Sequence, residues 1–139
     1  MRYSVDGDLI FIRMDDGENF YNVLNGVLKE LGVKSAVVLN GIGMLKDFEI
    51  GWFNVEKGQY ERERISVPHE LVSTSGNVSD RDGEAFAHLH VSLAGPSRSV
   101  VGGHLFEATV CNTVEMFLMR LNMDLYRVPG KTFRPLDVR

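Results

Sequence analysis

The chain carries a single cysteine, Cys111. No internal disulfide can form, which suits a reducing compartment. Long apolar runs are also missing: nothing approaches the about 20 consecutive apolar residues that a membrane-crossing helix requires. The opening segment Met1-Arg2-Tyr3-Ser4-Val5-Asp6-Gly7-Asp8 lacks the apolar core of a signal peptide. Together these absences predict a cytoplasmic protein with no membrane partner, and they make the sequon Asn77-Val78-Ser79 a chance match. A cationic excess is missing too. Lys and Arg number 15 against 19 Asp and Glu, for a formal charge of −4. That balance excludes a protein whose whole surface clamps nucleic acid, because such binding runs on cationic charge. A local basic patch remains open.

What is present describes one globular domain spanning residues 1–139. The chain has 139 residues, 44% of them apolar and 24% charged, which is a folded and not a disordered composition. Its 14 glycines point to many turns and close backbone contacts. No internal repeat and no linker interrupts it.

One helix is legible. From Glu18 to Leu31 the apolar positions Phe20, Val23, Leu24, Val27, Leu28 and Leu31 recur every three or four residues and draw one stripe. Asp16 is the expected N-cap and Gly32 the expected stop. The rest reads as strands: Asp8–Met14, Ser35–Leu39, a turn at Gly41-Ile42-Gly43, Leu45–Asn54, a break at Lys57-Gly58, a polar edge over Tyr60–Val67, Leu71–Val78, Ala85–Ala94 and Val100–Cys111. Met116–Leu121 fits either strand or helix. The expected fold class is α+β, a mostly antiparallel sheet of about seven strands with one main α-helix.

Chemistry concentrates in Phe86-Ala87-His88-Leu89-His90-Val91-Ser92. Strand side chains alternate, so His88 and His90 share one face while Ala87, Leu89 and Val91 share the other. A hairpin centred on Ser97 sets His90 opposite His104, and one centred on Pro96 sets His88 opposite His104. Both registers gather three imidazoles on one face, and an intermediate slip would scatter them. Opposed Cβ atoms lie about 4.5–5.5 Å apart, close enough for His88, His90 and His104 to meet one divalent metal. Three nitrogen donors with an open position suit catalytic zinc, although imidazole suits other first-row metals equally. A partly buried polar face with no metal is the competing reading. Gly102, on the same face, is expected to keep the site uncrowded.

The other candidates carry less. His69, after Pro68, has no partner by spacing and reads as a surface histidine. Asp80, Asp82 and Glu84 precede the His-x-His strand, Glu107 has the wrong parity to join His104, and Glu115 lies beyond the strand's end; all five read as solvated rather than as acid, base or fourth ligand. Gly41-Ile42-Gly43 lacks the third glycine of a dinucleotide fingerprint, since position 46 is Lys46. Cys111 lies in an apolar strand and reads as packing rather than as a nucleophile.

Three segments together resemble the PPC (plants and prokaryotes conserved) domain, also called DUF296: Leu71–Ser79, Phe86–Val91 and Val100–Leu105 with its Gly102-Gly103-His104. The early helix followed by Gly41-Ile42-Gly43 fits the same pattern, and the resemblance covers nearly the whole chain. It implies an α+β fold, similar to that of α-acetolactate decarboxylase, that assembles as a homotrimer. It implies a DNA-binding or regulatory role, since plant members carry the domain beside AT-hooks and prokaryotic single-domain members bear DNA-binding labels. It also implies a metal held at the positions of His88, His90 and His104. The sequence has no Arg-Gly-Arg-Pro hook; Arg134-Pro135 alone is not one.

Three functions follow as expectations. A DNA-binding trimer requires a contiguous basic patch, with Arg62, Arg64, Arg98 and the C-terminal arginines as its candidates. A metal-dependent enzyme acting on a small carbonyl or carboxylate compound requires a pocket beside the histidines. A ligand sensor or scaffold with a structural metal requires a closed site.

Overall fold

The computed structural model describes the whole chain, Met1–Arg139. Nine strands and one helix follow in the order β1 (Arg2–Asp6), β2 (Leu9–Asp15), α1 (Phe20–Glu30), β3 (Ala36–Asn54), β4 (Gln59–Ile65), β5 (His69–Arg81), β6 (Glu84–Ala94), β7 (Val100–Arg120), β8 (Leu125–Arg127) and β9 (Leu136–Val138). The helix and the antiparallel sheet meet the α+β expectation. The strand number exceeds it because β1, β8 and β9, at five, three and three residues, are too short for a period-2 pattern to stand out. No helix is long and apolar enough to cross a membrane.

The long strands β3 and β7 organise everything else. They pair with each other, β3 pairs with β5, β5 with β6, and β6 returns to β7. These four antiparallel pairings close on themselves, so the inner strands have no free edge. Strands β1 and β2 extend the sheet from β7, β4 hangs on β3 as the expected polar edge, and β8 adds the one parallel contact, Asp80 with Tyr126. The expected break at Gly41-Ile42-Gly43 is not a turn. Strand β3 runs straight through it and absorbs the irregularity as register shifts at Val38/Asn40 and Gly43/Leu45. Likewise Met116–Leu121 is the end of β7, held as strand by pairing with β2 from Leu9↔Met119 to Asp15↔Thr113.

Helix α1 begins at Phe20, the first residue of its apolar stripe, and so later than the expected start at Glu18. Its N-cap is Asn19, whose side-chain oxygen accepts from the Asn22 N–H at 2.9 Å. Asp16 instead accepts from the Asn112 N–H, tying the loop to β7. The C-terminus is as expected. Gly32 takes the left-handed conformation (φ +62°), its N–H donates to the Lys29 carbonyl, and the Val33 N–H donates to the Leu28 carbonyl. Those two bonds make a Schellman stop. The buried stripe Phe20, Leu24, Val27 and Leu28 packs into one core with Ile10, Ile12, Met14, Leu89, Leu93, Leu105, Met116 and Leu118.

Candidate metal centre

The β6–β7 hairpin adopts the register centred on Ser97: His90 stands opposite His104, and Val91, Ser92, Leu93 and Ala94 continue opposite Gly103, Gly102, Val101 and Val100. Ala87, Leu89 and Val91 are buried on the core side. The alternation that buries them turns His88 and His90 to the opposite face. The ring centroids lie 5.0 Å apart for His88–His90 and for His88–His104, and 5.8 Å apart for His90–His104. One ligating atom from each of the three lies within 4.8 Å of the others.

Close backbone approaches hold this face in place. Gly76 of β5 sits at φ +154°, and a Cβ there would fall 1.9 Å from the His88 carbonyl oxygen. Gly102 has a different role from the one expected. A Cβ there would meet the Val91 carbonyl oxygen at 2.6 Å, so the glycine serves the approach of β6 to β7 and not the space around the imidazoles. Beside them, the Tyr21 hydroxyl donates to the Leu105 carbonyl at 2.6 Å and ties the helix to β7 next to His104. Burial pushes that phenol above its ordinary range.

The electrostatics keep two of the rings neutral. Burial, then the positive charge of Arg127, then His90 push His88 down to about 4. Burial, then His88, His90, Arg62 and Arg127 push His104 down to about 4. Each of these neutral rings retains a nitrogen lone pair for a metal near pH 7. Tetrahedral nitrogens bonded to zinc at about 2.0–2.1 Å lie roughly 3.4 Å from one another. The three donors lie within 4.8 Å of one another, and neutral imidazole nitrogens are suitable ligands, so the residues fit a divalent ion. The His104 ring is braced by Phe106 at 4.4 Å and Tyr60 at 4.9 Å between centroids, with the Tyr60 hydroxyl 3.5 Å from His104 Nδ1. Such outer partners orient imidazole ligands.

A cavity of about 470 Å³ opens beside the centre. His88 and His104 form part of its wall, aromatic rings of Phe53, Tyr60, Phe86, Phe106 and Phe133 form another part, and Arg62, Arg81, Arg127 and Arg134 complete it. No carboxylate lines it. The five acidic residues weighed from the sequence stay outside: Asp80 binds Arg139, Asp82 binds Arg134, Glu107 binds Arg64, and Glu84 and Glu115 are exposed.

His69 is a correction. It is buried, at 8% exposure, with its ring edge-on to Phe48 at 5.1 Å and its Nδ1–H donating to the Val67 carbonyl at 2.8 Å. Its partners are a phenyl ring and a backbone carbonyl, which residue spacing does not disclose. Cys111 is half-buried in β7 and stands apart from the pocket. Sequence reasoning missed the cavity's guanidinium and aromatic walls. The one usable signal was the cationic excess near the C-terminus, whose Arg127 and Arg134 fold inward.

The expected basic patch is largely neutralised. Arg62 pairs with Glu49 at 3.0 Å, Arg64 with Glu107 at 2.6 Å, Arg134 with Asp82 at 2.8 Å, and Arg139 with Asp80 and Asp124, each at 3.2 Å. Of the named candidates outside these pairs, Arg98 lies exposed at the β6–β7 turn and Arg127 is buried.

Known structures share this architecture. A plant- and prokaryote-conserved (PPC) protein from Pyrococcus horikoshii is 34% identical, with a TM-score of 0.86 over 98% of this chain and 94% of that one. A metal-containing protein from Archaeoglobus fulgidus is 31% identical, with a TM-score of 0.85 over 99% and 96%. A protein from Bacteroides thetaiotaomicron, named as a candidate DNA-binding protein, is 21% identical with a TM-score of 0.90 over 99% and 96%, which shows the shared fold alone. The likeness extends to acetolactate decarboxylase from Bacillus subtilis subspecies spizizenii, again as fold alone, at 14% identity and a TM-score of 0.57 over 93% of this chain and 58% of that one. No curated protein matches the sequence. The family model of the Plants and Prokaryotes Conserved (PCC) domain matches residues 1–122, and the chain belongs to that family.

Proposed function

We propose that this protein holds a divalent metal, zinc in the first instance, on His88, His90 and His104, and uses it on a small carbonyl- or carboxylate-bearing molecule in the adjoining cavity. The observation that carries this reading is the convergence of three imidazole donors within 4.8 Å on the wall of a cavity of about 470 Å³. The metal-containing relative from Archaeoglobus fulgidus supports it. A bound ion would supply Lewis acidity toward a ligand oxygen or an activated water. The chain's own groups do the rest. His88 and His104 offer neutral lone pairs, Tyr60 and Phe106 hold the His104 ring, and the aromatic wall excludes water from an apolar ligand body. The three donors leave a coordination position open, which favours a reactive centre over a closed structural one.

A DNA-binding role draws support from the names of structural neighbours such as the Bacteroides protein. It draws little from the surface, where Arg62, Arg64, Arg134 and Arg139 are each matched by a carboxylate. The metal pocket therefore leads. The proposal includes the homotrimer, supported by an outer face of β2, β3 and β7 on which Ile42, Phe117 and Met119 are exposed and Phe11 lies against Phe117 at 5.1 Å. Contiguous apolar patches of this kind mark association surfaces.

Elemental analysis of protein purified without an affinity tag tests the centre. Stoichiometric divalent metal is expected, and a His90→Ala, His104→Ala double variant is expected to lose it. Metal content that is unchanged in the double variant refutes the site.

A further inference from the structure

Arg127 is a buried cation without a counter-anion. It lies on β8, is 7% exposed, and faces the cavity. Its Nε donates to the Ser79 hydroxyl at 3.3 Å, and its terminal nitrogens donate to the Arg134 carbonyl at 3.4 Å, to the Asn77 amide oxygen at 2.6 Å and to His88 Nδ1 at 3.1 Å. Every acceptor is neutral. Buried charges are ordinarily paired with an opposite charge, because desolvation otherwise costs too much. Here the cavity offers no Asp or Glu at all.

The surrounding charges deepen the deficit. Arg62 and Arg134 also line the cavity, but Glu49 and Asp82 answer them from outside. Arg81 has no ion pair and lies over the Phe86 ring at 4.2 Å. The Nε of Arg134 is buried without an acceptor. The cavity thus holds one buried guanidinium without a carboxylate, an exposed Arg81 without an ion pair, and an unpaired N–H, in a protein whose overall charge is −4.

We propose that Arg127 is the anchor for the carboxylate of the cavity's ligand, and that it restricts the ligand class to small carboxylates with an apolar or aromatic body. Charge selects the group: four of the five N–H donors of Arg127 are engaged within the chain, and the remaining terminal N–H meets a carboxylate oxygen in a charge-assisted bond. The rings of Phe86, Phe106 and Phe133 select the body. The proposal rests on the reading of the three-histidine cavity as a ligand site, and adds to it which residue discriminates and by what charge.

The test is calorimetric titration of the full-length protein, as isolated and after metal removal, with benzoate as probe and benzamide as its neutral counterpart of the same shape. Benzoate is expected to bind at least about tenfold more tightly than benzamide in both preparations, from the strength of charge-assisted bonds. Arg127→Gln is expected to remove that preference and leave benzamide binding as it was, while Arg98→Gln, at the exposed turn, changes neither. Arg127→Lys keeps the charge without the planar guanidinium, is expected to show an intermediate preference, and serves if the glutamine variant does not fold. Equal affinity for the two probes, a preference that survives in Arg127→Gln, or inorganic phosphate competing as well as benzoate overturns the proposal. A protein found to hold no metal yet to prefer benzoate through Arg127 refutes the metal centre and leaves this anchor standing. Metal found without any charge preference does the reverse.

Discussion

Gly76 and Gly26 receive the same methyl group in a Gly→Ala substitution, and the structure assigns the two changes opposite signs. Gly76 lies on β5 at φ +154°, with a Cβ position only 1.9 Å from the His88 carbonyl oxygen and 3.1 Å from Leu89 Cα. Backbone cannot rotate away, so β5 and β6 must separate where His88 and Leu89 sit. Strain at such a φ costs about 1–3 kcal/mol, and overpacking a further about 1–3 kcal/mol. The sum is about 2–6 kcal/mol. Unfolding entropy of about 2.1 cal/mol/K per residue gives a chain of 139 residues roughly 0.3 kcal/mol per degree. Gly76→Ala should therefore lower Tm by roughly 7–20 °C. Gly26 lies exposed within α1, with nothing within 4 Å of its Cβ position. Alanine there should add about 0.5–1 kcal/mol, raising Tm by a few degrees. Differential scanning calorimetry reads both. The ring resonances of His88 and His90 should shift in Gly76→Ala and stay in place in Gly26→Ala. A Gly76→Ala protein that melts within about 2 °C of the parent would refute the claim that strand approach at this glycine positions the histidine face.

Two other outcomes can be checked directly. The hydrogen bond from Arg134, then its charge and that of Arg81, holds the Asp82 carboxyl below its ordinary 3.8; a depressed carboxylate contributes stability that is present above its unfolded pKa and lost as pH falls through the folded one. An NMR titration should place the Asp82 midpoint below 3.8, and Arg134→Gln should move it up; a midpoint indifferent to Arg134 contradicts the pair. Light scattering should give three times the 15.6 kDa subunit mass, with Phe117→Lys shifting the population toward the monomer, and a parent protein at one subunit mass contradicts the trimer.

The three-histidine face was legible because the contacts that make it are local. His88, His90 and His104 belong to one hairpin, and parity alone decides whether their side chains agree. The helix was legible for the same reason, its stripe being a property of consecutive residues. Asp16 failed as N-cap because a distant partner, Asn112, claims it. His69 looked superficial because Phe48, which covers it, lies across the sheet. The glycines at 41 and 43 read as a turn, yet Gly43 has a Cβ position 2.0 Å from the Thr113 carbonyl oxygen, so glycine is there to let β3 touch β7. Arg127 could not be placed from sequence at all. It reaches the cavity through a short strand, β8, whose only pairing with β5 is a parallel contact between Asp80 and Tyr126.

The proposed anchor and the proposed metal ligands meet at one atom, His88 Nδ1. A neutral imidazole has a single nitrogen lone pair, and in His88 that lone pair accepts from Arg127 at 3.1 Å. Whichever ring nitrogen meets an ion, the lone pair is no longer available to Arg127: either the ion takes it directly, or the ring proton moves to Nδ1. One N–H of a guanidinium that is only 7% exposed is then left without its acceptor. An unpaired buried donor on a charged group is expensive, and a ligand carboxylate is what restores its bond. Occupation of the proposed metal site therefore favours occupation of the proposed anion site, and by linkage the reverse holds equally. The same residues explain why the pocket has no acid of its own. A carboxylate placed beside Arg127 would satisfy it permanently and remove the charge by which a ligand is chosen.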